Sequence, residues 1–219
     1  MTDDMAAAYG EMASDISEIL VPAADIQRRV AEIGQAVSRD YAGRNPLLIG
    51  VLKGVLFFMA DLLRAITIPV EVDFMAVSGY APDARAPGVV RLVKDLEIPI
   101  GGRHVLFVED VIDTGLTLNY LLRNLQARQP AGLEVCVLFD KPEHRLIDLP
   151  LKYVGFQLPD RFMVGYGLDH REKYRNLPFV GLLKPEAFRR GTKDLADPNT
   201  GHGQDFRSLR EDQECRGSE

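Results

Sequence analysis

Short apolar runs alternate with amphipathic stretches along this chain, and that alternation sets the predicted elements. Residues 47–52, 105–108 and 135–139 are nearly unbroken apolar runs bounded by polar turns. Such runs fit strands covered on both faces of a sheet. Residues 70–77, 89–93 and 153–156 read as further strands, and 158–166 as a turn with a short strand. Between them, residues 23–41 place Ile26, Val30, Ile33 and Val37 at helical spacing, with Asp25 near the start and Gly43 past the end. Residues 55–66 read as a buried helix and 118–125 as an amphipathic one. Strands alternating with helices predict an α/β protein, a mostly parallel twisted sheet with helices on both faces.

The remaining stretches lack this rhythm. Residues 1–18 read as a flexible, partly helical leader, followed by a short extended piece at 19–22. The folded domain is expected over 19–189. Within it, residues 150–185 are short-stranded and predict a small hood lobe over the strand ends. SGYAPDARAPG (78–88) has no periodicity and reads as a mobile lid loop. Residues 190–219 hold too few apolar side chains to offset their ordering entropy and are expected to be disordered.

Composition narrows the classes. A net charge of −6 argues against a general nucleic-acid grip, which needs a basic face. Cys136 and Cys215 form neither a disulfide framework nor a zinc spacing, which fits a reducing cytoplasm. The N-terminus reads as neither a secretory signal nor an anchor. The longest apolar stretch, 55–60, is too short to span a bilayer. The expectation is a cytoplasmic enzyme with no membrane partner.

The candidate chemistry centres on VLFVEDVIDTGLTL (105–118). Its pattern is a buried strand carrying Glu109 and Asp110, a loop with Asp113, Thr114 and Gly115, then Leu116 and Thr117 opening a helix. Ligands of open α/β sheets bind at the carboxyl ends of strands, and a helix N-terminus offers free N–H groups to a phosphate. Two carboxylates beside it suit a sugar diol or a metal. Taken alone, the same residues also fit a capped helix start and a pair of solvated charges. There is no Gly-Lys-Ser/Thr, so a Walker loop is excluded. GYGLDH (165–170) lacks the third glycine of a dinucleotide fingerprint, and the four histidines show no metal-ligand spacing.

Other residues are ambiguous singly. Lys53 precedes a helix whose dipole it opposes, so it either meets a polyanion or snorkels to water. Lys141 is a donor only, suited to a carbonyl oxygen or a phosphate, or else is a surface lysine. Phe162 stacks on a planar base or belongs to the core. Asp169 suits Mg²⁺ and Arg175 a phosphate, unless each is an exposed charge.

Together these segments carry a resemblance. VLFVEDVIDTGLTL resembles the phosphoribosyl-pyrophosphate signature of the type I phosphoribosyltransferases. The Glu-Asp pair followed by Ile-Asp-Thr-Gly-x-Thr resembles the 6-oxopurine branch, the bacterial hypoxanthine (hypoxanthine–guanine) enzymes. LLIGVLKGVLFFMADLLR (47–64), FDKPEHR (139–145) and YVGFQLPDRFMVGYGLDHREKYRNLPFVGLLK (153–184) resemble that branch in order and spacing, so the likeness spans 19–184.

The resemblance implies purine salvage, the transfer of a phosphoribosyl group from phosphoribosyl pyrophosphate to hypoxanthine or guanine, with Mg²⁺ as cofactor and a homodimer or homotetramer as assembly. It implies that Glu109 and Asp110 hold the ribose hydroxyls and contribute to metal binding, and that residues 113–117 cradle the 5′-phosphate. Asp113 would also transfer a proton at purine N7. Lys53 and Gly54 would meet pyrophosphate through backbone groups, at a peptide bond often cis in this family. Lys141 would bond the 6-oxo oxygen. Phe162 would stack on the base and the Met163 backbone would meet its far edge. Asp169 would bind Mg²⁺, Arg175 pyrophosphate, and Tyr80 would cover the site. The chain departs from the family's Ser-Ser-Tyr-Gly lid pattern at Gly79 and Ala81. The alternatives are a xanthine-preferring enzyme and a catalytically weak nucleotide-binding regulator.

Overall fold

The computed structural model describes residues 3–78 and 91–189. The tail at 190–219, the lid from residue 79 onward and Tyr80 lie outside the described residues.

Six strands form the main sheet: β2 (Leu47–Leu52), β3 (Glu71–Ser78), β4 (Arg91–Lys94), β5 (His104–Ile112), β6 (Gly132–Asp140) and β7 (Tyr153–Gln157). Their order is β4-β3-β2-β5-β6-β7, parallel throughout except for β4 at one edge. The unbroken apolar runs follow from burial on both faces. On β5, Leu106 and Val108 pack under α2 (Ala23–Asp40) and α3 (Leu56–Ala65). Val105 and Phe107 pack on the other face with Leu118, Leu121 and Leu125 of α4 (Leu116–Gln126). Successive strand residues point to opposite faces, so both sides of the sequence must be apolar. Among the described residues, no helix is long and apolar enough to cross a membrane.

β5 runs farther than its apolar stretch. Val111 pairs with Phe139 and Ile112 with Asp140, which carries the ladder through Glu109 and Asp110. The two carboxylates therefore sit within the strand rather than in the loop after it. Parity sends Asp110 to the α3 side and Glu109 to the α4 side.

A second sheet, order β1-β9-β8, joins β1 (Ile16–Val21), β8 (Met163–Val164) and β9 (Val180–Leu183) antiparallel. Two boundaries differ from the sequence reading. Residues 1–18 were expected as a flexible, partly helical leader; α1 (Asp3–Ser14) is the helical part, but β1 begins inside that bound, at Ile16. Ala13 and Asp15 are buried, and Tyr174 donates its hydroxyl to Asp15 Oδ2 at 2.8 Å. Ser17 and Glu18 interrupt the apolar run there, which hid the strand's beginning. The other difference is β7, expected with the small lobe but closing the edge of the main sheet beside β6.

One carboxylate ties β3 to the segment after β4. Asp73 accepts N–H bonds from Phe74 at 2.7 Å, Glu97 at 2.7 Å and Ile98 at 2.9 Å. Burial pushes the carboxyl up, but these N–H groups and Lys94 outweigh it and hold it below its ordinary 3.8. A lowered folded value makes its stabilisation full above the ordinary value and lost as pH falls through the folded one. Asp73→Ala is expected to cost about 2–3 kcal/mol at pH 7. Urea unfolding should show a smaller stability loss on acidification to pH 3 in this variant than in the parent.

Candidate active site

Parallel strands bring the ends of β2, β5 and β6 to one edge of the sheet. After β2 the chain turns at residues 53–55, with a cis bond between Leu52 and Lys53. A Cβ on Gly54 would run into the Asp110 carboxylate, and one on Gly167 would run into the Gly54 carbonyl. These glycines thus let three segments close on one point: the turn after β2, the end of β5, and the loop between β8 and β9. Gly167, at φ 99°, also needs a conformation that disfavours other residues.

Beside that point lies a charged group. Lys53 Nζ is 3.1 Å from Glu172 Oε2, and Arg175 lies 2.7 Å from Asp169 Oδ1 and 3.4 Å from Glu172 Oε2. Arg175 also donates to the Gly167 carbonyl at 2.7 Å. Burial pushes Glu172 up, but Lys53 and Arg175 together hold it below the usual carboxylate range. Lys53 and Arg175 thus place two cations around the same carboxylate, Glu172.

After β5, Gly115 caps α4 in a left-handed conformation at φ 79° and has no side chain to satisfy the first-turn N–H groups. The alternative reading of this loop, a helix start capped by Asp113 or Thr114, is not what forms, because Gly115 occupies the cap position. The Thr114 hydroxyl makes only a long 3.4 Å bond to the Leu116 N–H. Leu116, Thr117 and Leu118 open the helix without an acidic residue, so its positive end is left for an anion.

The acid pair is unequal. Burial, and then the Asp110 charge, push the Glu109 carboxyl well above its usual value. Its Oε2 is buried and has no hydrogen-bond partner among the described residues. Asp110, itself buried, accepts the Val111 N–H at 2.9 Å. Glu109 is thus the member whose charged form burial disfavours.

Lys141 follows β6 and is only 2% exposed. Its N–H donates to the Ile112 carbonyl at 3.1 Å, and its Nζ lies 3.5 Å from Asp113 Oδ1 and 3.8 Å from Asp160 Oδ1. Burial of a lysine requires such partners. This settles the sequence ambiguity: Lys141 is not a surface lysine. Asp113, Asp160 and His144 also have ligand atoms within 4.8 Å of one another. The Lys141 ammonium already supplies their cation. Among the described residues, Glu109, Asp110 and Asp169 do not form a comparably tight group.

Phe162 is half-buried. Its ring meets His170 edge-on at 5.5 Å and Phe188 at 5.3 Å, while His170 and Phe188 stack at 4.8 Å. Met163 is fully buried on β8. Asp160, Glu172, Gly167 and His144 were not singled out from the sequence, although all lie within the matched blocks. A three-residue step from Lys141 to His144 was the one signal present, since neighbours at that spacing share a face of a 3-10 turn.

A diphosphate-friendly loop, a helix start open to phosphate and a buried donor beside two carboxylates define a nucleotide-handling α/β enzyme. The phosphoribosyl transferase domain family matches residues 18–171, and the chain belongs to that family. It is 49% identical over 175 residues to a hypoxanthine-guanine phosphoribosyltransferase of Streptococcus agalactiae, covering 80% of this chain and 97% of that one. A crystal structure of a Staphylococcus aureus hypoxanthine phosphoribosyltransferase superposes with a TM-score of 0.78 at 43% identity, over 82% of this chain and 98% of the other. A Trypanosoma cruzi hypoxanthine phosphoribosyltransferase in complex with the product IMP matches with a TM-score of 0.73 at 39% identity, over 78% and 96%.

Proposed function

We infer that this chain is a purine-salvage enzyme that transfers the 5-phosphoribosyl group from phosphoribosyl pyrophosphate to a 6-oxopurine, hypoxanthine or guanine, and releases pyrophosphate. The observation that carries this reading is the buried Lys141–Asp113 pair beside the open N-terminus of α4. A donor and a carboxylate side by side match an exocyclic oxygen next to a ring N–H. The helix start matches the sugar phosphate of the same ligand. The names of the relatives support the same substrates.

In this reading the first turn of α4, with Thr114 and Thr117, holds the 5′-phosphate. Asp110 and Glu109 receive the ribose hydroxyls. As the bond to pyrophosphate weakens, positive charge grows on the ribose, and the Asp110 carboxylate stabilises it. Lys53, Gly54 and Arg175 hold the pyrophosphate. Lys141 bonds the base's 6-oxo oxygen while Asp113 takes the proton from N7. Phe162, backed by His170 and Phe188, supplies the stacking surface, with the Met163 backbone at the far edge of the base.

A divalent cation fits the oxygen donors present. Glu109 Oε2 is a buried acceptor with no hydrogen-bond partner among the described residues, and Asp110 and Asp169 add hard carboxylate oxygens. We assign these residues to Mg²⁺, completed by ligand oxygens, because Mg²⁺ takes few protein carboxylates when phosphates are present. When bound, the ion neutralises the pyrophosphate charge and assists its departure.

The test is nucleotide formation with Mg²⁺, phosphoribosyl pyrophosphate and either hypoxanthine or guanine. Turnover with one of them is expected; none in a folded sample contradicts the reading, and turnover confined to xanthine transfers it to a different base. Gly54→Ala gives a local check. Its Cβ must displace the Asp110 carboxylate. The kcat/KM for the donor is expected to fall about 10–100-fold, the range for a misplaced catalytic group. Donor titration of this variant against the parent measures it.

A further inference from the structure

Asp113 must shed a proton in each turnover if it takes one from the base. Its Oδ1 is buried and has no hydrogen-bond partner among the described residues. Two groups face that atom, Lys141 Nζ at 3.5 Å and His144 Nε2 at 3.9 Å. The ammonium has donors only and takes up no proton. The imidazole differs. His144 closes the 3-10 turn Pro142–His144, and its Nδ1 lies 2.7 Å from Asp160 Oδ2. A carboxylate only accepts, so Nδ1 carries the hydrogen, and Nε2 is the ring nitrogen turned toward Asp113. The His144 side chain is 26% exposed and that of Asp113 23%, so what His144 offers is a route to solvent from the buried Oδ1 atom itself. Glu143 and Arg145 flank it, and Arg145 is held by Asp140 at 2.9 Å. The charges facing the ring are thus Asp113, Asp160 and Lys141.

We propose that His144, oriented by Asp160, is a positioning residue that takes over the proton Asp113 removes from the purine and passes it to solvent. The proposal rests on the reading of Asp113 as the proton-transfer group. First the ring N–H bond breaks, its electron pair stays in the purine, and an O–H bond forms on Asp113. That O–H bond then breaks as an N–H bond forms on His144 Nε2, which restores the carboxylate. The imidazolium lies between two carboxylates and releases its proton to water. A closure of about 1 Å brings Nε2 and Oδ1 to hydrogen-bond distance. The arrangement follows the logic of a carboxylate orienting an imidazole toward a reacting group, with Asp113 in the place of that group.

Steady-state nucleotide formation over many turnovers in the full chain tests it, with saturating Mg²⁺, phosphoribosyl pyrophosphate and hypoxanthine, because His144 acts in restoring the Asp113 carboxylate between turnovers. His144→Ala is expected to lower this steady-state rate about tenfold or more, with the affinities for both substrates unchanged. Free imidazole in the buffer should restore part of the rate. His144→Gln, which can still bond Asp160 but carries no proton, should be no faster than His144→Ala. An unchanged rate in His144→Ala overturns the proposal, as does full activity in His144→Gln, a loss confined to base affinity, or a slow variant that imidazole does not help. Asp113→Asn runs alongside. An unchanged rate there removes the parent reading, whereas slow Asp113→Asn with normal His144→Ala removes this proposal alone.

Discussion

Asp113→Asn is expected to slow single-turnover nucleotide formation by about 10²–10³-fold, within the range for loss of a general acid–base group. The amide keeps the size and shape of the carboxylate, so the turn into α4 should survive. The first-turn N–H groups proposed to hold the phosphate are backbone groups behind Gly115 and do not depend on this side chain. Donor affinity should therefore stay close to that of the parent. What the amide loses is the capacity to accept a proton, and with it one anionic partner of Lys141 at 3.5 Å. Two measurements separate the effects: a direct binding titration with phosphoribosyl pyrophosphate, and the rate of the bond-making step. A variant that binds donor poorly but reacts normally once saturated would make Asp113 a structural loop residue.

Lys141→Ala should act on stability and specificity together. At 2% exposure the lysine is almost wholly withdrawn from water. Removing it leaves Asp113 and Asp160 facing each other across a cavity, with His144 as their remaining nearby base. Because Asp113 and Asp160 stay partly exposed to water, the loss is expected to be about 1–3 kcal/mol, measurable by urea unfolding at neutral pH. Lys141→Gln separates the second effect, because an amide fills much of the space and both donates and accepts. In the proposed pose the parent lysine disfavours a 6-amino base, since two donors would face each other with no acceptor between them. Lys141→Gln is expected to lower kcat/KM for hypoxanthine and to bring adenine closer to it. If adenine remains as strongly excluded as before, the contact to the base's oxygen lies elsewhere.

The fold was legible where burial forces a pattern. Residues 47–52 and 105–108 had to be apolar on both faces, and the helix at 23–41 on one, so strand and helix positions could be read directly. β1 could not. Its first residues, Ile16, Ser17 and Glu18, lie at the edge of a small sheet, where polar side chains reach solvent and no alternation is enforced. β7 was read as a strand but placed in the wrong layer, because periodicity reports an element and not its neighbours. The site divides in the same way. The run from Glu109 to Thr117 is continuous in sequence and announces itself. The groupings of Lys53 with Glu172, and of Lys141 with Asp160 and His144, join segments far apart along the chain. No local pattern encodes those distances; only the closing of the sheet and the glycine contacts at Gly54 and Gly167 create them. Gly115 as the cap of α4 was hidden for a related reason: Asp113 and Thr114 look like better caps, and only the left-handed turn shows that neither occupies the position.

The central claim is that Lys141 and Asp113 together read the oxygen and ring N–H of a 6-oxopurine. The ratio of kcat/KM for hypoxanthine over adenine, measured in one assay with Mg²⁺ and phosphoribosyl pyrophosphate, tests it most directly. A site built around a buried donor and acceptor is expected to favour hypoxanthine by about 10⁴-fold. Comparable use of adenine, or a preference for it, would contradict the account.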